Sequence, residues 1–66
     1  MIIRLTSKRD IYIFVNINHI TVVNEEKHYT CIKLLGGSEY EVKETAQEII
    51  NEIQLINEQV HQRSIL

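Results

Sequence analysis

The stretch Gly36-Gly37-Ser38-Glu39-Tyr40-Glu41-Val42-Lys43-Glu44-Thr45-Ala46-Gln47-Glu48-Ile49-Ile50 decides the fold. Two adjacent glycines permit a tight turn with positive φ, and a short strand, Glu39 to Val42, follows it. Thr45 then starts a helix. With Glu48 three residues later it forms a capping box, in which the threonine oxygen and the glutamate side chain satisfy N–H groups that the first helical turn leaves free. Glu44 and Glu48 also suit the positive end of the helix dipole.

Downstream of this boundary the pattern is helical. At about 100° per residue, Ala46, Ile49, Ile50, Ile53, Ile56 and Val60 fall within an arc of roughly 120° and form one apolar stripe. Ala46, Ile53 and Val60 also repeat every seventh residue with Ile49 and Ile56 between them, so the stripe suits either the chain's own sheet or a second helix. Asn57 sits at its edge. On the opposite side Glu48, Glu52 and Leu55 share a face. From Thr45 to Gln62 there is no lysine or arginine, which makes the helix acidic and gives it two readings, a solvated face or a docking face for a basic partner.

Upstream, the period is two. Ile2 to Thr6 reads as a first strand, Ser7-Lys8-Arg9-Asp10 as a hairpin connection, and Ile11-Tyr12-Ile13-Phe14-Val15 as a second strand that is apolar on both faces. One helix covers only one face of such a strand. The other, carrying Tyr12 and Phe14, is expected to be half exposed or to meet another subunit. Asn16-Ile17-Asn18-His19 breaks the pattern, Ile20 to Val23 resumes it, Asn24 to Lys27 is a turn, and His28 to Leu35 is a fourth strand. The expectation is an α+β fold, an antiparallel meander of four to five strands followed by one C-terminal amphipathic helix. Residues 1–62 form a single domain, with 63–66 as a frayed tail.

Length and composition narrow the function. A chain of 66 residues buries only roughly 60% of its unfolded surface, and disulfides, metals or partners usually supply the missing stability. Cys31 is the only cysteine, which excludes an internal disulfide. With His19, His28 and His61 it matches no standard zinc spacing. Oligomerisation remains, and Tyr12, Phe14, Ile53, Ile56 and Val60 are the residues expected to carry it. No cofactor or metal is expected. Neither is enzymatic activity, because so small a chain has little volume for a pocket that holds a nucleophile beside a base. Cys31, mid-strand, reads as a buried inert thiol. The net charge of −2 gives no global attraction to nucleic acid or anionic membranes. No segment approaches the ~20 apolar residues that span a bilayer, and Met1-Ile2-Ile3-Arg4 lacks a signal peptide's apolar core, so a cytoplasmic location is expected. Arg4, Lys8 and Arg9 near Tyr12 and Phe14 provide an alternative, a small RNA- or DNA-binding module on the first hairpin.

Ile3-Arg4-Leu5-Thr6, Asn16-Ile17-Asn18-His19-Ile20, the strand ending in Leu34-Leu35-Gly36-Gly37, and Tyr40-Glu41-Val42-Lys43-Glu44-Thr45 before Glu48-Ile49-Ile50 together resemble the FlbD/SwrD-like family of small flagellar proteins. The resemblance runs over about residues 3–53. It departs from the family at Ser7-Lys8-Arg9-Asp10, where a Leu-Asn-Gly turn is usual, and at Asn24-Glu25-Glu26-Lys27-His28, which replaces a Pro-Asp-Thr entry. The resemblance implies a non-enzymatic cytoplasmic accessory that supports flagellar output through protein contacts. A phage or mobile-element product that modulates a host protein is the alternative within the same class.

Overall fold

The computed structural model describes residues 1–65, and side chains for residues 1–58. Five strands and one helix follow in order: β1 (Ile2–Thr6), β2 (Tyr12–Asn16), β3 (Ile20–Glu25), β4 (Thr30–Leu34), β5 (Glu39–Val42) and α1 (Ala46–Ile65). This is the expected α+β class. The strands divide into two antiparallel sheets, β1–β2 and β3–β4–β5.

The division falls at Asn16. Its Oδ1 accepts the Asn18 N–H at 3.0 Å and caps one 3-10 turn, Ile17–His19. An asparagine side chain that bonds its own backbone competes with a sheet ladder. The turn buries Ile17 and redirects the chain, and the two sheets meet instead through β1 and β5. Ser7 and Val42 form an isolated antiparallel bridge. Beside it the Lys43 N–H donates to the Thr6 carbonyl at 2.8 Å and the Lys8 N–H to the Glu41 carbonyl at 3.1 Å.

Alternation sets the core. In the first hairpin Ile3 opposes Val15 and Leu5 opposes Ile13, and these point inward. Ile32, Val42, Ile17 and Ile49 complete the buried cluster, with Ile13, Ile20, Val23, Leu34, Ile53 and Ile56 packed against it. The β3–β4 turn lies two residues later than expected, closed by the Glu26 N–H on the Tyr29 carbonyl at 2.8 Å, because Glu25 pairs with Thr30 and extends β3. Gly36 and Gly37 have φ of +92° and +95°, which ordinary residues adopt at a cost.

The capping box is present. The Thr45 N–H donates to Glu48 Oε1 at 3.0 Å and the Glu48 N–H to Thr45 Oγ1 at 3.1 Å. Glu25, at the end of β3, adds a third tie by accepting the Ala46 N–H at 2.8 Å. The helix stripe turns toward the chain's own core: Ile49 is fully buried, and Ile53 and Ile56 are half-buried. Ile50 does not belong to the buried line. It is 41% exposed, because it lies at the far edge of the arc, about 100° round the helix from Ile49. Val60 and the proposed 63–66 tail lie outside the described side chains.

Candidate interaction surface

The outward face of the first hairpin carries Ile2, Arg4 and Thr6 from β1 and Tyr12, Phe14 and Asn16 from β2, paired Ile2–Asn16, Arg4–Phe14 and Thr6–Tyr12. Tyr12 is 58% and Phe14 70% exposed, and Ile2 is exposed beside them. The Arg4 guanidinium lies 4.4 Å from the centroid of the Tyr12 ring. Such a cation is held by the ring's electron-rich face, so Arg4 contributes its apolar stem to the same patch. Of the residues expected to self-associate, the structure brings Tyr12 and Phe14 together. Ile53 and Ile56 it places elsewhere, against the core.

Of the three basic residues of the hairpin, Lys8 is already engaged by a carboxylate. Lys8 Nζ donates to Glu41 Oε2 at 2.9 Å, and it also sits 5.4 Å from the Tyr29 ring. The hydrogen bond to Glu41, and then that carboxylate's charge, raise the Lys8 pKa above its ordinary value. Lys43 pairs with Asp10, and Lys33 with Glu39 at 3.4 Å. Arg9 takes only a backbone tie, its N–H donating to Ser7 Oγ at 3.3 Å. Phosphate binding draws its affinity from cations that release counterions, and cations already neutralised by neighbouring carboxylates contribute little.

Between β1 and α1 runs a groove of about 360 Å³ lined by Arg4, Leu5, Glu44, Glu48, Asn51 and Glu52. Further along the helix Leu55, 52% exposed, lines a shallow depression with Asn51, Gln54 and Glu58. The acidic face therefore exists as a surface. Two of the groove's carboxylates are structurally engaged: Glu48 in the capping box and Glu44 with the backbone N–H of Thr6.

Cys31 is half-buried rather than buried, because β4 turns its odd positions away from the core that Thr30 and Ile32 enter. His19 precedes β3 and His28 follows it, both exposed, so the strand's length separates them. Among the described residues no three His, Cys, Asp or Glu side chains could hold a metal ion together. No described helix is long and apolar enough to cross a membrane.

Sequence reasoning placed the aromatic face correctly through strict alternation in β2. It missed the engagement of Lys8 and Glu44, whose partners lie 33 and 38 residues away. No local pattern carries such a pairing.

A family model described as "FlbD: Flagellar and Swarming motility proteins" matches residues 1–61. No curated protein and no solved structure matches the chain.

Proposed function

The chain belongs to the FlbD family of flagellar and swarming motility proteins, and on that premise we propose that it is a cytoplasmic, non-enzymatic accessory of motility that works through protein contacts. The observation that carries this reading is the outward face of the first hairpin, where Phe14 and Tyr12 stand largely in solvent beside Ile2 and Arg4. A small domain that leaves two aromatics out of its core forgoes stability, unless another protein surface covers them. Self-association through Tyr12 and Phe14 is part of the proposal. Glu52 and Leu55 on the helix form a second, separate contact surface.

The test is complementation. A flagellated strain lacking its own family member is supplied with the wild-type gene, with Phe14→Lys or with Leu55→Lys, and swarming is scored at matched protein levels. Wild type restores swarming and Phe14→Lys does not. Full rescue by Phe14→Lys sinks the role given to the hairpin face, whereas failure of the wild type to rescue sinks the motility role itself.

A further inference from the structure

The backbone of β2 has one open edge, and its side-chain pattern reads the same in both directions. The Ser7 N–H donates to the Ile11 carbonyl and the Ile17 N–H to the Met1 carbonyl, at 2.8 and 2.9 Å. These bonds mark Ser7/Ile11 and Met1/Ile17 as hydrogen-bonded pairs at the two ends of the hairpin. By the alternation of an antiparallel ladder, Leu5/Ile13 and Ile3/Val15 are hydrogen-bonded pairs too. The N–H and C=O groups of Tyr12 and Phe14 therefore point away from β1. No backbone or side-chain partner reaches them among the described residues.

The edges of β1 and β3 are interrupted. On β1, Glu44 takes the Thr6 N–H, and the chain then bonds to β5. On β3, the register shifts between Ile20 and Val22, and α1 packs against the strand. β2 has no bulge, no proline, and no charged residue from Ile11 to Asn18. Proteins normally protect an edge with one of these devices.

We infer that β2 pairs antiparallel with β2 of a second copy, about a two-fold axis through Ile13, to give a continuous β1–β2–β2′–β1′ sheet. The inference rests on the self-association proposed above. In this register Tyr12 faces Phe14 of the second copy, and Phe14 faces its Tyr12, so all four free backbone groups of each strand are used. Two aromatic cross-strand pairs form on the outer face. On the inner face Ile13 meets its own copy, and Ile11, 60% exposed in one chain, meets Val15 of the other. Sequence order apolar, aromatic, apolar, aromatic, apolar is what an antiparallel self-pairing needs. No like charges meet, since Asp10 falls opposite Asn16. Aromatics bury about 150–250 Å² each, and the exposed parts of Tyr12 and Phe14 supply roughly 200–300 Å² per copy. A standard interface uses about 800 Å² per partner, so this is a small interface and the dimer is expected to dissociate on dilution.

The experiment combines solution mass with site-directed cross-linking. Sedimentation equilibrium across a concentration series is run on the wild type and on Phe14→Lys, with circular dichroism confirming that this exposed substitution leaves the fold intact. In a Cys31→Ser background, Ile13→Cys is oxidised alone, and Tyr12→Cys is oxidised in an equimolar mixture with Phe14→Cys. The Ile13 pair has a Cα separation of about 4.5 Å and the Tyr12/Phe14 pair about 5.5 Å, both within disulfide reach. The expected result is a dimer whose dissociation constant rises by about tenfold or more in Phe14→Lys, with covalent dimers from Ile13→Cys and from the mixture. Phe14→Cys alone gives little, its own copies lying on the longer diagonal. A dimer that forms neither cross-link overturns the strand pairing and leaves self-association standing. A monomer at every concentration overturns both, and leaves the edge to a strand from a different protein.

Discussion

Glu44 accepts the backbone N–H of Thr6 through both carboxylate oxygens, at 2.8 and 3.0 Å. Thr6 ends β1, and Glu44 lies between β5 and the helix. The clamp therefore fixes the junction at which the two sheets meet, on the same stretch where Lys43 returns its N–H to the Thr6 carbonyl.

Removing that carboxylate leaves a partly buried N–H without its acceptor. Hydrogen bonds to charged groups are worth about 1.5–3 kcal/mol, and a domain of this length has a total stability of roughly 3–10 kcal/mol. Glu44→Ala is expected to lose about 1.5–3 kcal/mol in urea unfolding. Glu44→Gln, which keeps one carbonyl acceptor, loses less. Equal losses in the two variants count against the hydrogen bond and in favour of a purely electrostatic role.

Neighbouring isoleucines of α1 provide a second test. Ile49 is fully buried in the cluster of Leu5, Ile32 and Val42, whereas Ile50 is 41% exposed. Truncating a buried isoleucine costs about 2–5 kcal/mol. Ile49→Ala is expected to unfold a large share of the population at 37 °C, and Ile50→Ala to stay within about 0.5 kcal/mol of wild type. Thermal melts of the two variants at equal concentration decide it. Similar melting temperatures mean that the helix does not pack on its own sheet in this rotation.

Both sides of that comparison show how far local pattern carries. Thr45 with Glu48, Gly36 with Gly37, and the alternation of β2 are signals contained within a few residues, and each gave its element and, for β2, its exposed aromatic face. The rotation of α1 is a different matter. Ile49 and Ile50 lie on one arc by angle alone, and only the position of β3, which Glu25 ties to the Ala46 N–H, selects which of them enters the core. The split into two sheets was hidden for a similar reason. A meander read strand by strand assumes that β2 and β3 pair, yet Asn16 spends its side chain on the 3-10 turn, and the partner of β1 comes from residues 41–43. The basic cluster on the hairpin was visible, but the pairing of its Lys8 with Glu41 was not.

The capping box gives the third prediction. Thr45 and Glu48 satisfy each other's N–H groups at 3.0 and 3.1 Å, and replacing an N-cap threonine by alanine costs about 1 kcal/mol. For a domain of this size that is a fall in melting temperature of about 4–8 °C. Thr45→Ser, which retains the acceptor oxygen, is expected to recover most of it. If serine melts with alanine, the hydroxyl is not the stabilising group.

The Lys8–Glu41 pair supplies a pH dependence whose sign is fixed by the direction of the shift. Lys8 has its pKa raised from the ordinary 10.5, first by the hydrogen bond to Glu41 and then by that residue's charge. A raised lysine pKa means that the folded state holds the proton more tightly than the unfolded chain does. The stabilisation is therefore fully present below the unfolded value, and is lost as pH climbs through the folded one. The pair is solvent-exposed, so its contribution is small and is weakened by salt. Lys8→Met is expected to melt slightly below wild type at neutral pH, and the gap should close at alkaline pH above the lysine range and shrink at 1 M salt. Pairing the variant with Glu41→Gln in a double-mutant cycle isolates the interaction from the loss of the Lys8 ammonium over Tyr29. A coupling that persists unchanged at pH values where Lys8 is neutral, or that is unaffected by salt, means that the two side chains do not interact as an ion pair.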